Sequence, residues 1–373
     1  MSNTSRNRVI YQSQALFAAP TGTTSLNNPQ HSLRRVQSCN YNFSITRQDI
    51  NQYGELAAID RLILQEPTVA VDLSYYFEPT GFNEAHLGFR TNAATGTSTE
   101  TDHMLDYVIS SGANYDQKNI YVLVSDAGID ANDSTAMSTS TVEGVIGIGN
   151  AFLTSWSLDA AVGAIPTVSC ALEGQNIVFT GGGGTYGIGN PAVVDGVDVT
   201  STVVTLPDGA GMFDSGTEVS AVRPGDITLT LGTTNSDNSP MFGLNESDLK
   251  IQSASVAMTI GREPIRKLGK AFAFAREITF PINCTMSVNA IVGTTATNKL
   301  YTLMTTNGDN TKYYCELKLV GYQGATAHNA FIMLKGAKLD SQNFTSSIGP
   351  NQTVTLELSA QIGRNSGLHF KAD

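Results

Sequence analysis

The chain has 373 residues, of which 22 are Lys or Arg and 33 are Asp or Glu, a net charge of −11 with the histidines neutral. A hydrophobic fraction of 41% suffices for packed cores and excludes a chain disordered throughout. The longest apolar runs, such as Tyr121–Val124 and Ala330–Leu334, fall far short of the roughly 18 residues a membrane-crossing helix needs, so no membrane insertion is expected.

Residues 1–34 read as an N-terminal arm. Arg6 and Arg8 precede VIYQSQALFAAP, whose glutamines and serine interrupt the apolar run, so it is not read as a signal peptide. Over 35–46, Cys39, Tyr41, Phe43 and Ile45 alternate with polar residues, the period of a strand with one face on a core. A segment centred on Gly54 follows and is expected to be irregular, because glycine is unfavourable inside a helix. Val69, Val71, Leu73, Tyr75 and Phe77 alternate again, and FNEAHLGF (82–89) reads as a short helix. The polar stretch 91–118 is expected to be a long exposed loop or hairpin that contacts a neighbour. Val168, Cys170 and Leu172 mark a closing strand, and 175–249 is a Gly/Thr-rich connecting segment with strand-like pieces VDVTSTVVTL and DITLTL.

From 250 onward the chain repeats itself. RVQSCNYNFSITRQDINQYGELAAIDR (35–61) matches KIQSASVAMTIGREPIRKLGKAFAFAR (250–276) without a gap at an offset of 215. AFLTSWSLDAAVGAIPTVSCAL (151–172) matches AKLDSQNFTSSIGPNQTVTLEL (337–358) at an offset of 186. The difference, 215 − 186 = 29, places about 29 extra residues between the blocks of the first copy. The expectation is a mainly β protein of two tandem antiparallel β-sandwich domains, 35–174 and 250–373, each with a short flanking helix. NKLYTLM (298–304) is the second helix.

Little in the sequence points to chemistry. GGGGTYGIG (181–189) contains a formal G-x-G-x-x-G, but Asn190-Pro191 and β-branched residues follow where a phosphate-binding helix would have to begin. His31, His86, His103, His328 and His369 are scattered, and no G-x-S-x-G is present. Asp126, Asp130 and Asp133 lack the spacing of a calcium loop. Cys39, Cys170, Cys284 and Cys315 form no C-x-x-C and are read as reduced, mostly buried thiols. No catalytic residue, cofactor or metal is expected. Arg47 and Arg61 recur as Arg262 and Arg276, and are read as salt bridges within a domain or as contacts between subunits. Residues 67–249 hold 22 acids against 3 basic residues.

The block Q-S-…-I-T-R-x-x-I-x-x-x-G-…-R-…-P, the block A-x-L-x-S-…-G-…-T-V-x-x-x-L, and REPIRKLG-…-REITFPINCTMSV together resemble major tail proteins of tailed bacteriophages. The resemblance covers roughly 35–174 and 250–360. It implies β-sandwich domains, six to a ring, with rings stacked into a tube that conducts viral DNA without binding it specifically. For a duplicated chain it implies three chains per ring. It further implies a non-enzymatic virion protein, assembled in the host bacterial cytoplasm, with tape-measure, tail terminator and baseplate proteins as partners. The alternatives are another virion structural protein, such as a baseplate or connector ring, and a carbohydrate-binding β-sandwich. Asp72, alternating with the core residues of Val69–Phe77, is the candidate lumen residue, unless it pairs with Arg47 or Arg61.

Overall fold

The computed structural model describes residues 11–26, 31–63, 67–90, 92–93, 103–110, 117–132, 141–181, 186–207, 220–230, 249–270, 272–292, 312–345, 351–363 and 366–372. In chain order these form β1 (Gln14–Pro20), β2 (Val36–Ser44), β3 (Arg47–Ile50), β4 (Asp60–Ile63), β5 (Thr68–Tyr76), α1 (Phe82–His86), β6 (Asn92–Ala93), α2 (Asp106–Ser110), β7 (Gln117–Ser125), β8 (Val142–Ala161), β9 (Thr167–Gly174) and β10 (Asn176–Gly181). There follow β11 (Gly187–Gly189), β12 (Val193–Val194), β13 (Val197–Asp198), β14 (Val203–Thr205), β15 (Ile227–Thr230), β16 (Leu249–Ile265), β17 (Ala275–Val292), β18 (Tyr313–Gln323), β19 (Thr326–Thr345), β20 (Thr353–Gln361) and β21 (Gly367–Ala372). The protein is mainly β, built from antiparallel sheet.

Eight strands run side by side in the order β19-β20-β17-β16-β8-β9-β5-β2. Shifted by the sequence offsets, the first four strands of this order map onto the last four. Cys39 lies opposite Leu73 and Phe43 opposite Val69; 215 residues on, Ala254 lies opposite Val288 and Met258 opposite Cys284. The register shift around Gln37 recurs around Gln252. Each of these glutamines donates from Nε2 to the carbonyl two residues back, Arg35 at 3.1 Å and Lys250 at 3.2 Å. Leu153 faces Leu172 before a bulge that sets Ser155 opposite Ala171; 186 residues on, Leu339 faces Leu358 before a bulge that sets Ser341 opposite Glu357. Three more strands take equivalent places without matching residues. β7 and β18 precede and pair with β8 and β19, β10 and β21 return to the same two strands, and β1 and β15 flank β7 and β18.

Strands β8 and β19 are 20 residues each and serve two layers. Residues 142–152 of β8 pair with β7, and 152–159 pair with β9. The turn of direction falls at Asn150, whose φ is 50°, and at the equivalent Gly336, whose φ is 69°. Glycine reaches this region without strain and asparagine tolerates it best among the rest. Between the layers, Val71, Leu73, Trp156, Leu158 and Cys170 pack with Leu16, Ile120 and Val122 in one continuous core. That core reaches the second half through Val256, Met258, Cys315, Leu317 and Phe370.

Several segments differ from the sequence reading. The Gly54 segment is a hairpin, β3 against β4, and its counterpart is the hairpin end of β16 and β17. Gly54 and Gly269 sit in the two turns with φ of 91° and 82°. The N-terminal arm contributes β1 to the first sandwich, and the connecting segment contributes β10 to the first half and β15 to the second. The turn-rich piece 186–206 covers the outer face of β7, where Tyr121 and Leu123 pack against Ile188, Val204 and Leu206. The described part of the 91–118 insertion is not an exposed loop. It forms α2, buries Met104 and Leu105, and donates the Met104 amide to the Leu368 carbonyl of β21 at 2.7 Å. The apolar residues of HMLDYVI recur at helical spacing, and that is why the stretch folds inward. The remainder of the insertion and the helix expected at 298–304 lie outside the described residues.

Candidate functional site

Strands β16 and β8 meet at the centre of the eight-strand run and form a seam between the halves. Their pairing is antiparallel from Ser253 opposite Ala161 to Thr259 opposite Ser155. On one face of the seam Val256 sits across from Leu158 and Met258 across from Trp156, and all four side chains are essentially fully buried. Arg262 reaches over the seam from the hairpin. Its Nε donates to the Leu153 carbonyl at 3.1 Å, and its guanidinium lies 5.0 Å from the Phe152 ring centre. Arg276, itself buried, forms an ion pair with the half-exposed Glu173 of β9 and lies 5.7 Å from the same ring. Lys267 adds an exposed ion pair to Asp195 at 2.6 Å. Arg262 and Arg276 therefore clamp the second half onto the first.

Their counterparts are placed differently. Arg61 pairs with Asp49 across its own exposed hairpin. That partner holds the Asp49 carboxyl below its usual range, chiefly through the hydrogen bond. Arg47 is exposed on β3 and has no ion pair among the described residues. Asp72 is exposed on β5, opposite Asn40 and Ala171, and makes no ion pair with either arginine.

The face of the sheet that bears Asp72 is the polar one. Across its middle rows stand Asn40, Asp72, Ala171, Ser157, Asp159, Ser255, Ser287 and Glu357, interleaved with the core residues by strand alternation. The counterpart of Asp72 in the second half is Ser287, whose hydroxyl donates to Glu357 Oε1 at 2.7 Å. Asp159 and Glu357 were not singled out from the sequence. The signal was present, since each alternates with buried residues, Leu158 and Ala160 or Leu356 and Leu358.

The two outer edges of the run are open. Among the described residues, β2 pairs only with β5, and residues 338–345 of β19 pair only with β20. Both edges expose large side chains: Tyr41 is 39%, Phe43 47% and Phe344 43% exposed. The β3–β4 hairpin adjoining β2 exposes Tyr53, Leu56, Ile59, Leu62 and Ile63.

The titratable groups described in the interior support the architecture. Glu84 accepts a hydrogen bond from the Tyr75 hydroxyl at 2.9 Å inside the first core, and burial raises its carboxyl to about 7. Glu78 receives Arg34 at 3.4 Å, and Asn83 bonds both the amide and the carbonyl of Arg34, fixing the chain before β2. Burial raises the thiols of all four cysteines: Cys39 goes to about 11, Cys284 to about 12, and Cys170 and Cys315 higher still. None is poised as a thiolate nucleophile. His86 stacks on Phe82 at 4.2 Å with Nδ1 against the Phe82 carbonyl, and burial lowers its basicity. Gly187 opens a strand rather than a helix, while Gly182 lies outside the described residues, as does Asp133. Asp126 belongs to a turn closed by the Ile129 amide on its carbonyl at 3.0 Å.

No protein-family model matches the chain. No curated protein matches it either. Among solved structures, it is similar to a chain in the virion of a native gene transfer agent particle, at 11% identity and a TM-score of 0.24, over 39% of this chain and 95% of that one. It is also similar to a chain in the tail of an empty gene transfer agent particle computed with helical refinement and C6 symmetry, at 12% identity and a TM-score of 0.25, over 39% of this chain and 96% of that one.

Proposed function

We propose that this chain is a non-catalytic virion structural protein of a phage-like tail. Copies of it assemble head to tail into rings that stack as a tube around passing DNA. The observation that carries the reading is a sheet whose strand order repeats in tandem and ends on two open edges. A repeated unit with two different edges can continue onto another copy of itself, and a cyclic head-to-tail contact closes into a ring. Open edges with exposed aromatic residues are an aggregation hazard in a lone chain, and ring closure removes them.

In this reading the halves are two copies of one domain, and three chains make a ring of six. The polar face with Asp72, Asp159 and Glu357 lines the channel, where like charge keeps the phosphate backbone from adhering. Assembly takes place in the host bacterial cytoplasm, and tape-measure, terminator and baseplate proteins complete the tail. Negative-stain microscopy of the purified chain, with native mass measurement of single rings, tests this. Stacked rings of three chains are expected. Six chains per ring overturn the duplicated ring plan, isolated rings that never stack move the chain to a connector or baseplate role, and monomers at all concentrations sink the tube.

A further inference from the structure

The inner seam is a template for the outer one. β16 is the second-half counterpart of β2, and β8 is the first-half counterpart of β19. The chain thus already contains one joint between the strand types that stand free at its two ends. Resting on the self-assembly reading above, we infer that β2 of one chain pairs antiparallel with residues 341–345 of β19 in a second copy, in the register of β16 on β8.

Applying the two offsets to that ladder gives the pairs. Thr259 opposite Ser155 becomes Ser44 opposite Ser341, and Met258 opposite Trp156 becomes Phe43 opposite Gln342. Ala257 opposite Ser157 becomes Asn42 opposite Asn343, Val256 opposite Leu158 becomes Tyr41 opposite Phe344, and Ser255 opposite Asp159 becomes Asn40 opposite Thr345.

Burial and chemistry agree with this register. Val256, Leu158, Met258 and Trp156 are at most 1% exposed, whereas their edge counterparts Tyr41, Phe344 and Phe43 are 39%, 43% and 47% exposed. The fourth counterpart, Gln342, carries a side-chain amide whose nitrogen and oxygen are both shielded from solvent and without a partner. Tyr41 and Phe344 become a cross-strand aromatic pair, a stabilising combination on a shared face. On the other face every pair is uncharged and polar, so no like charges are brought together. A one-residue slip would set Tyr41 and Phe43 opposite residues of the second copy's polar face, so the register is specified.

The hairpin clamp carries over in part. Arg47 takes the place of Arg262 and Leu339 that of Leu153, so the Arg47 guanidinium donates to the Leu339 carbonyl of the second copy. The ion pair of Arg276 with Glu173 is not reproduced, because Ser359 occupies the equivalent of Glu173. Asp49, where the second half has Pro264, holds Arg61 instead. The outer joint is thus the weaker of the two.

Disulfide trapping in the full chain tests the register. Directly opposed residues have Cβ atoms close enough to bridge, whereas diagonal neighbours do not, so N42C/N343C should cross-link chains about tenfold faster than N42C/S341C. F344D should abolish assembly while the monomer keeps its melting temperature, because Phe344 is exposed in the lone chain; F344L should retain assembly. Rings that form normally while N42C/N343C fails to cross-link, or cross-links no faster than the shifted pair, overturn this joint and leave the structural role intact. A native chain that forms no rings overturns the self-assembly reading and this joint with it.

Discussion

Glu84 is an acid that the fold keeps protonated. Its carboxyl lies against Tyr75 and Cys170 within the first core, with Glu78 nearby, and burial lifts its pKa from 4.5 to about 7. The unfolded chain releases this proton near pH 4.5, while the folded chain holds it until about pH 7. The folded state binds more protons in that window, so stability falls as pH rises through it and then levels off. At about 1.4 kcal/mol per pKa unit the loss is roughly 3 kcal/mol, fully present above pH 7. Glu84→Gln keeps the acceptor for Tyr75 and has nothing to ionise. Its urea midpoint should match the native chain at pH 4 and exceed it at pH 8. A native chain whose stability is flat between pH 4.5 and 7 would show that Glu84 ionises freely.

At the scale of elements, the two equivalent hairpins make opposite predictions. The β3–β4 hairpin is exposed on every residue of both strands and pairs with no other described strand. Replacing it by a two-residue turn should leave the thermal midpoint of the monomer unchanged and prevent ring formation. The same cut at the β16–β17 hairpin removes Arg262 and Arg276 from the seam and should destabilise the monomer by about 2 kcal/mol, the scale of lost hydrogen bonds to a charged group. Calorimetry of the two deletions separates these outcomes.

This asymmetry also marks what the sequence could reveal. The repeat was legible because Gln37 and Gly54 hold the same backbone features as Gln252 and Gly269, so identity survived at bulge and turn, while Arg61 and Arg276 kept the residue with different partners. β7 and β18 share position without residues, because the first is covered on both faces and reads IYVLV, whereas the second is covered on one and reads CELKL. Tyr41 and Phe43 follow the alternation of buried strand residues, yet they are exposed here. Periodicity reports which face a residue joins and cannot report whether that face is covered by the same chain.

For the whole molecule, the decisive quantity is the charge on the polar face. Asp72, Asp159 and Glu357 lie on strands β5, β8 and β20, distributed across the sheet rather than clustered. Screening limits each to a reach of about 8 Å at physiological salt, so in the proposed tube their spacing would spread a weak repulsion over the channel wall. Replacing Asp72 by lysine should leave assembly intact, because it is exposed and lies outside the seam ladder. The resulting tubes should retain DNA in a manner that weakens steeply with salt, while native tubes retain none. Equal, negligible retention by both would place this face away from the channel.

In the proposed assembly, the inner seam would also alter how a ring nucleates. Each encounter between free bodies forfeits roughly 4–15 kcal/mol of translational and rotational freedom before any contact repays it. Joining six separate domains into the proposed ring would incur that loss five times, whereas three double chains would incur it twice, with half the joints already folded. The critical concentration for closing such a ring would fall accordingly, even with a weak outer joint. In the proposed ring, weak outer joints would let a misaligned chain dissociate and try again, while the seam inside each chain stays closed.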